Sequence, residues 1–534
     1  MIAQKPIRPT ATTPMSLAKL RALVDGRSAA DLADLTVTGI TNRSGEVRPG
    51  DLYAAVPGTR THGAKFAAEA QAAGAVCVLT DAEGSDAVAA SHVTLPIIVV
   101  PDVKAVLGEA SAYVYGAPAS RMRMLGITAT SGKTTTAYLM YAGLAAHGHT
   151  VGLIGTVETL IGTRVIAHVP GSSFTTPEAP DLHALLAVMV ESGVDAVVME
   201  VSSHALQLGR VAGIGFDVAG FANLSQDHLD FHLDMESYFA AKSLLFDGRS
   251  KIHVCNIDDQ YGARVARLAP ERTVSISPSG LSAAWRATEV DDSHLEGCRF
   301  VVNGPDSSGL SVELALPGRF NVANGLMAIA MLAQVGVPPT VAVPALRDVV
   351  VPGRMQRVVE GQDYLAVVDY AHKPAAVSAA LSALRPQTAG RLIVVLGCGG
   401  DRDQAKRPLM GEVGARQSDV LIVTDDNPRS EAPDTIRAQM LDGARAVPLA
   451  ERAEVIEEGD RGRAIELAVA RARSGDCVLV AGKGHEHGQY VGDEVLEFDD
   501  TMRLRAAISA SRTTRRYGGA DEDGPDQSAE ENAE

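Results

Sequence analysis

The run Gly126-Ile127-Thr128-Ala129-Thr130-Ser131-Gly132-Lys133-Thr134-Thr135 restricts this chain more than any other feature. An apolar segment precedes it. A helical pattern follows, with Ala137, Met140, Tyr141 and Leu144 on one face. Strand, glycine loop, Lys-Thr and helix is the setting of a phosphate loop, and it calls for a parallel sheet with crossover helices. Gly132 lets the backbone come close to phosphates, while amides at the helix start face their negative charge. Lys133 is placed to bridge terminal phosphates, and Thr134 to ligate magnesium. The strict pattern has glycine where this chain has Ile127. The bland alternative is a Gly-Lys-Thr helix start with no ligand.

A chain of 534 residues is too long for one hydrophobic core, and about three domains are expected. The fold class read from the pattern is α/β: a central phosphate-loop parallel sheet, a small α/β N-terminal domain and a Rossmann-like C-terminal domain. Residues 1–16 are polar and broken by proline, which reads as a flexible arm. Residues 17–119 carry short buried strands such as Ala75–Leu79 and Pro96–Val100, ending at a linker, Gly116–Ser120. Residues 120–352 repeat strand, glycine loop and helix. There Phe300–Asn303 and Leu310–Leu316 flank a turn-rich segment and form an expected antiparallel hairpin. In residues 353–512 the alternation restarts, with strands at Leu365–Val368, Leu392–Leu396, Val420–Val423 and Val478–Val480. Residues 513–534 are an acidic tail with too little apolar surface to order itself.

A net charge of -17 speaks against general nucleic-acid binding, which needs a basic face. Cys77, Cys255, Cys298, Cys398 and Cys477 are widely spaced and form no CxxC pair. They read as reduced thiols rather than a disulfide framework or zinc site. No stretch approaches the ~20 apolar residues of a membrane span, and the start of the chain has no apolar signal core. A cytoplasmic location follows by elimination.

Glu200 closes the strand pattern that begins at Val194, placing a carboxylate where ligands collect in parallel sheets. The next strand runs into Asn223 and then Asp227-His228-Leu229-Asp230-Phe231-His232; a lone histidine there would be a surface or core residue, but two histidines and two aspartates just past a strand end read as a functional cluster. Read alone, Lys242 in Tyr238–Phe246 is most simply a solvated helix lysine.

Taken together these segments resemble the Mur ligases over nearly the whole chain. The phosphate loop matches the family's nucleotide motif, with Ala129 and Ser131 where Gly and Asn are usual. The resemblance implies ATP contacts from Thr128 to Thr135 and from Asn321, Asn324, Arg354, Asp369 and His372. It implies magnesium on Thr134 and Glu200, and a second near His228 and Lys242, the lysine carried as a carbamate. Catalytic roles fall to Lys133, Glu200, His228 and Lys242.

In the first domain the resemblance assigns Asn42, Ser44, Thr59, Arg60 and Thr61 to the UDP moiety; Gly45 stands where the family usually has Arg. Thr175, Thr176, Ser202 and Arg210 would hold the muramoyl peptide. Arg402, Asp426, Asn427, Pro428, Arg429, Gly482 and Glu486 match the branch that adds meso-diaminopimelate. The implied reaction is ATP-dependent amide ligation of meso-2,6-diaminopimelate to UDP-N-acetylmuramoyl-L-alanyl-D-glutamate, through an acyl phosphate, by a monomer whose domains close around the substrates. Two other classes stay open. A folylpolyglutamate synthase shares the phosphate loop but has no need of Ser44–Leu52 or Asp426–Arg429. A non-catalytic nucleotide-binding regulator has no need of Glu200, His228 and Lys242 together.

Overall fold

The computed structural model describes residues 7–58, 61–166, 175–229, 231–294, 297–305 and 307–518. The expectations for Thr59, Arg60, the start of the arm and the end of the tail lie outside the described residues. The chain divides into two compact units, one made of residues 1–291, 297–315 and 319–349, the other of 292–296, 316–318 and 350–534.

The first unit holds the two N-terminal sheets expected from the strand patterns. Its smaller sheet is wholly parallel, in the order Gly39–Thr41, Asp51–Ala54, Cys77–Thr80, Ile97–Val99. The larger sheet has eleven strands among the described residues. Its parallel centre runs Val151–Ile154, Ala196–Glu200, Arg123–Thr128, Phe216–Phe221, Ser250–Asn256, Thr273–Ser277. Every residue of Ala196–Glu200 is buried, the mark of a strand covered on both faces. The expected hairpin is present and longer than read from sequence, pairing Gly297–Gly304 with Ser307–Leu314.

The second unit holds a sheet in the order Gln356–Arg357, Leu365–Asp369, Cys477–Ala481, Leu392–Cys398, Val420–Asp425, Glu454–Glu457. Only the first of these pairs antiparallel. All seven residues of Leu392–Cys398 are buried.

Two stretches differ from their sequence reading. Residues 8–16 make specific contacts: Arg8 pairs with Asp51 at 2.9 Å, Glu191 accepts from the Thr10 and Ala11 amides, and Met15–Ser16 pairs with Thr36–Val37. Pro118 and Ala119, read as linker, are buried in a 3-10 turn inside the first unit, with Ala119 in the same apolar cluster as Met122 and Met124. No helix among the described residues is long and apolar enough to cross a membrane.

The second unit is also held by a buried ion pair. Arg461 meets both oxygens of Asp500 at 2.7 Å, and both side chains are 0% exposed. Removing one partner leaves an uncompensated buried charge, so Asp500→Ala is expected to lower stability by ~3–5 kcal/mol. Denaturant unfolding of the full chain checks this; an unchanged midpoint would show the pair to be dispensable.

Candidate functional site

The phosphate loop sits where three neighbouring parallel strands end. Thr128 is in register with Phe221, and Ile127 with Glu200, so the loop, Glu200 and the Asn223 turn share one sheet edge. Ile127, standing where the strict pattern wants glycine, is a fully buried strand residue. The turn itself begins after Thr128 and ends at Gly132, whose φ of +88° starts the helix Lys133–Ala146. A Cβ there would lie 2.3 Å from Asn324 Oδ1, so glycine answers both conformation and space.

Asn223 clasps the loop from the neighbouring strand end. Its side chain accepts from the Ser131 amide at 3.0 Å and donates to the Ser131 carbonyl at 2.9 Å. Its carbonyl accepts from the Thr130 amide. The Thr130 hydroxyl lies 3.2 Å from the Tyr238 hydroxyl. Lys133 folds back over the loop and donates to the Ala129 and Thr130 carbonyls, at 2.9 and 3.2 Å. Asn324 Oδ1 accepts from Thr136, and Asn324 donates to Asn321.

Glu200 is buried, and its carboxylate is ringed by hydroxyl and amide donors. Thr134 donates to Oε2 at 3.1 Å; the Thr156 amide and hydroxyl donate to the two oxygens at 2.8 and 3.1 Å. Thr156 also meets Thr175, while Thr176 donates to the Glu200 carbonyl and accepts from the Ser202 amide. Arg210 donates to the Thr176 carbonyl and pairs with Glu178 at 2.6 Å. The residues expected at the muramoyl peptide thus gather against the carboxylate expected at magnesium. Among the described residues no group of three or more His, Cys, Asp and Glu side chains could hold a metal. The Thr134 hydroxyl and the Glu200 carboxylate, adjoining a phosphate loop, are instead the oxygen donors that suit magnesium beside phosphates.

Lys242 is buried rather than solvated, at 1% exposure. It lies on the last turn of the helix Met235–Ser243, which aims its amine at the Ala129 carbonyl, 2.9 Å away, and over the Tyr238 ring. Burial pushes the Tyr238 phenol up. His228, at φ +53°, pairs with Asp227 at 2.9 Å and lies edge-on to Tyr238 and His204. His232 stacks on Tyr238 and shares a 2.9 Å hydrogen bond with Ser203. Tyr238 is therefore the side chain that His228 and Lys242 have in common.

In the smaller sheet, Asn42 and Ser44 follow one strand, and the Thr61 turn follows the adjacent parallel strand. The Thr61 carbonyl accepts from the Gly58 amide at 3.2 Å.

In the second unit, four loops follow the C-terminal ends of parallel strands, the edge where ligands bind in such sheets. Asp369 is buried and accepts from the Met355 and Ala371 amides; burial pushes its carboxyl up against the pull of Arg354. Arg354 lies 4.1 Å from the Tyr370 ring centroid, and His372 Nδ1 is 2.8 Å from the Tyr370 carbonyl.

Asn427 is a hub in these loops. Its oxygen accepts from Lys483 at 2.8 Å and from the Tyr490 amide at 3.0 Å, and its nitrogen donates to Glu486 at 2.9 Å. Lys483, wholly buried, also pairs with Glu486 at 3.2 Å. Gly482 has a φ of +120°, and a Cβ there would lie 2.5 Å from an Asp426 oxygen. Arg429, at φ +52°, donates to the Gly400 carbonyl at 2.8 Å. Burial, and after it the like charge of Arg402, work against its cation.

Three domain models of the Mur ligases match successive parts of the chain: "Mur ligase family, catalytic domain" over residues 36–115, "Mur ligase middle domain" over 127–332 and "Mur ligase, glutamate ligase domain" over 353–484. The UDP-N-acetylmuramoyl-L-alanyl-D-glutamate--2,6-diaminopimelate ligase of Corynebacterium glutamicum is 52% identical over 86% of this chain and 89% of its own length. The chain belongs to the Mur ligase family. The identically named protein of Streptomyces avermitilis is 51% identical to this Mur ligase, over 95% of this chain and 99% of that one. A solved structure described as a UDP-N-acetylmuramoyl-L-alanyl-D-glutamate--2,6-diaminopimelate ligase has a TM-score of 0.66 at 30% identity, covering 94% of this chain and 100% of that one.

Several residues of this Mur ligase that shape the site escaped the sequence reading. In the sequence Asn223 is only the residue a strand runs into, yet it fastens the phosphate loop through both the oxygen and the nitrogen of its amide. Thr156 lies in a bend after a strand and Glu178 is the N-cap residue of the helix Ala179–Glu191, and neither carries a sequence motif of its own. Arg407 looks like a solvated residue on the helix Lys406–Gln417, and it is fully buried.

Proposed function

We propose that this Mur ligase joins meso-2,6-diaminopimelate to the D-glutamate side-chain carboxylate of UDP-N-acetylmuramoyl-L-alanyl-D-glutamate, using ATP, in the cytoplasm, as a monomer. Half identity to ligases of that name along nearly the full chain supports the substrates. The single structural observation that carries the reading is the buried Glu200 and Thr134 pair against a phosphate loop whose helix begins at Lys133.

A carboxylate is a poor electrophile and needs a leaving group. Its oxygen takes the γ-phosphoryl group of ATP, giving an acyl phosphate and ADP. The diaminopimelate amine then attacks the acyl carbon; the C–O bond to phosphate breaks, the amide forms, and the amine gives up a proton. Such transfer needs positioning and charge neutralisation above all. Loop amides and Lys133 bind and orient the phosphates. Thr134 and Glu200 would hold a magnesium ion, which when bound offsets phosphate charge. Thr175, Thr176, Ser202 and Arg210 are the proposed muramoyl-peptide contacts, and Asn42, Ser44 and Thr61 the proposed UDP contacts. Arg354, Asp369 and His372 are proposed to serve the nucleotide's adenosine end.

Lys242 fits a carbamate. A carbamylated amine keeps one N–H for the Ala129 carbonyl and exchanges a buried ammonium for an anionic oxygen ligand. Enzyme equilibrated with ¹³C-labelled bicarbonate is expected to show a carbamate carbon resonance that Lys242→Ala removes. The same resonance in the variant, or none in active wild-type enzyme, would refute the modification.

The reaction class is tested by phosphate release from ATP. Release is expected only with both the UDP-muramoyl dipeptide and an amino acid present. Release on nucleotide alone, undiminished without either substrate, would favour a nucleotide-driven regulator instead.

A further inference from the structure

We propose that the ion pair between buried Arg407 and partly exposed Glu431 is a positioning device that sets the spacing of the two arginine-bearing loops and so fixes which amino acid this ligase accepts. The inference rests on the reading that Arg402 and Arg429 face the far carboxylate of the incoming amino acid.

The two loops carry one arginine each and come from neighbouring strands. Residues 399–404 follow Leu392–Cys398, and residues 426–431 follow Val420–Asp425. They touch at backbone level: the Gly400 amide donates to the Asn427 carbonyl at 2.9 Å, and a Cβ on Gly400 would lie 1.9 Å from the Pro428 carbonyl. Arg429 reaches back to the Gly400 carbonyl, so its guanidinium goes where the first loop goes.

Nothing in that backbone contact holds the first loop at its outer end. Arg407 and Glu431 do so. Arg407, 0% exposed, meets both oxygens of Glu431 at 2.8 and 2.9 Å, donates to the Gly399 carbonyl at 3.3 Å and donates to Gln439 at 2.9 Å. Glu431 in turn accepts from the Asp401 amide at 2.6 Å, next to Arg402. Ser430 adds a 2.7 Å bond to Asp401, which sits at φ +53°. One carboxylate thus grips the backbone beside Arg402 from the loop that bears Arg429. A fork-to-fork arginine–carboxylate pair fixes orientation as well as distance.

The pair also has to hold two like charges near each other. Arg402 acts against the Arg429 cation, so the clamp holds the two loops against a repulsion that a bound carboxylate would offset. Holding them together in advance moves that cost from binding to folding. Hydrogen bonding from Arg407 pulls the Glu431 carboxyl down to about 2, so the clamp stays charged through neutral pH and is lost only as pH falls toward that value.

Two full-length variants test the proposal, each assayed beside wild type with meso-diaminopimelate and with L-lysine. Glu431→Gln keeps the shape and removes the charge; Glu431→Asp keeps the charge and shortens the reach. The KM for diaminopimelate is expected to rise roughly ten- to hundred-fold in Glu431→Gln, and less in Glu431→Asp, as for misplaced substrate-holding groups. The preference over lysine should fall in step, while kcat and the KM values for ATP and the UDP-dipeptide stay near wild type. A merely structural role would lower the amount of active enzyme and leave the KM values alone. If Glu431→Gln does not fold, Glu431→Asp decides by the same ratio. Wild-type KM and wild-type preference in the folded variants would overturn the clamp while leaving the proposed reaction intact. A wild-type enzyme that does not use diaminopimelate would overturn both.

Discussion

Lys133→Ala is expected to lower the ligation rate by ~10³-fold while leaving the fold in place. The lysine stands at the start of the helix Lys133–Ala146, beside amides already turned toward the loop. Its ammonium donates to the Ala129 and Thr130 carbonyls. The acceptors are neutral but the donor is charged, so each bond is worth roughly 1.5–3 kcal/mol, a loss that loosens the loop locally while the apolar core keeps the domain folded. Charge developing on a transferring phosphoryl group is another matter, because a fixed cation in a water-poor site stabilises it far more strongly. The expected signature is a collapse in kcat with near-normal circular dichroism and a thermal unfolding that stays cooperative at a moderately lower midpoint. Turnover within a few-fold of wild type would remove the nucleotide role from this loop.

Arg429→Ala is expected to raise the KM for diaminopimelate by about 10²–10³-fold, the size of losing one partner of a buried charge pair, ~2–5 kcal/mol. Diaminopimelate and lysine differ mainly by a carboxylate on the far carbon. A site that separates them must attract that carboxylate and suffer from its absence. Arginine does both, because its planar fork binds a carboxylate in two bonds and lies uncompensated without one. The Arg429 backbone does not depend on the side chain. Its amide donates to the Tyr490 carbonyl at 2.9 Å, and its carbonyl accepts from the Gly492 amide at 2.7 Å. Alanine therefore removes the guanidinium and leaves the loop. The KM for ATP should not move. Full preference for diaminopimelate in this variant would place selectivity elsewhere.

The sequence made the phosphate loop and its strand–helix setting legible because glycine, lysine and threonine have fixed jobs at fixed spacing. It also showed the parallel strands, whose apolar runs have no polar face to hide. Lys242 was different. The helix Met235–Ser243 mixes Tyr238, Phe239 and Ala241 with serine and glutamate, so no face is visibly inside, and only the family resemblance suggested that the lysine turns inward. Arg407 carries no signal of its own either: the helix Lys406–Gln417 mixes charged residues with Leu409, Met410 and Val413, and the buried arginine is explained only by its partner Glu431.

The support under Arg429 was hidden in another way. Pro428 suggested a stiff loop, but the hairpin of Gln489–Val491 and Glu494–Leu496 that holds the Arg429 backbone comes from some sixty residues further along. Asn427 enters the sequence reading only as a ligand implied by the family resemblance. It is buried, with its carboxamide oxygen taken by Lys483 and Tyr490, which makes it a brace for Glu486 as well as a proposed ligand.

The most direct test of the whole account is a competition in one tube. Enzyme, ATP, magnesium and UDP-N-acetylmuramoyl-L-alanyl-D-glutamate are mixed with equal concentrations of meso-diaminopimelate and L-lysine, and the products are separated by mass. The account predicts the diaminopimelate adduct in large excess, formed one-for-one with phosphate. Equal adducts, a lysine excess, or phosphate without any adduct would contradict it.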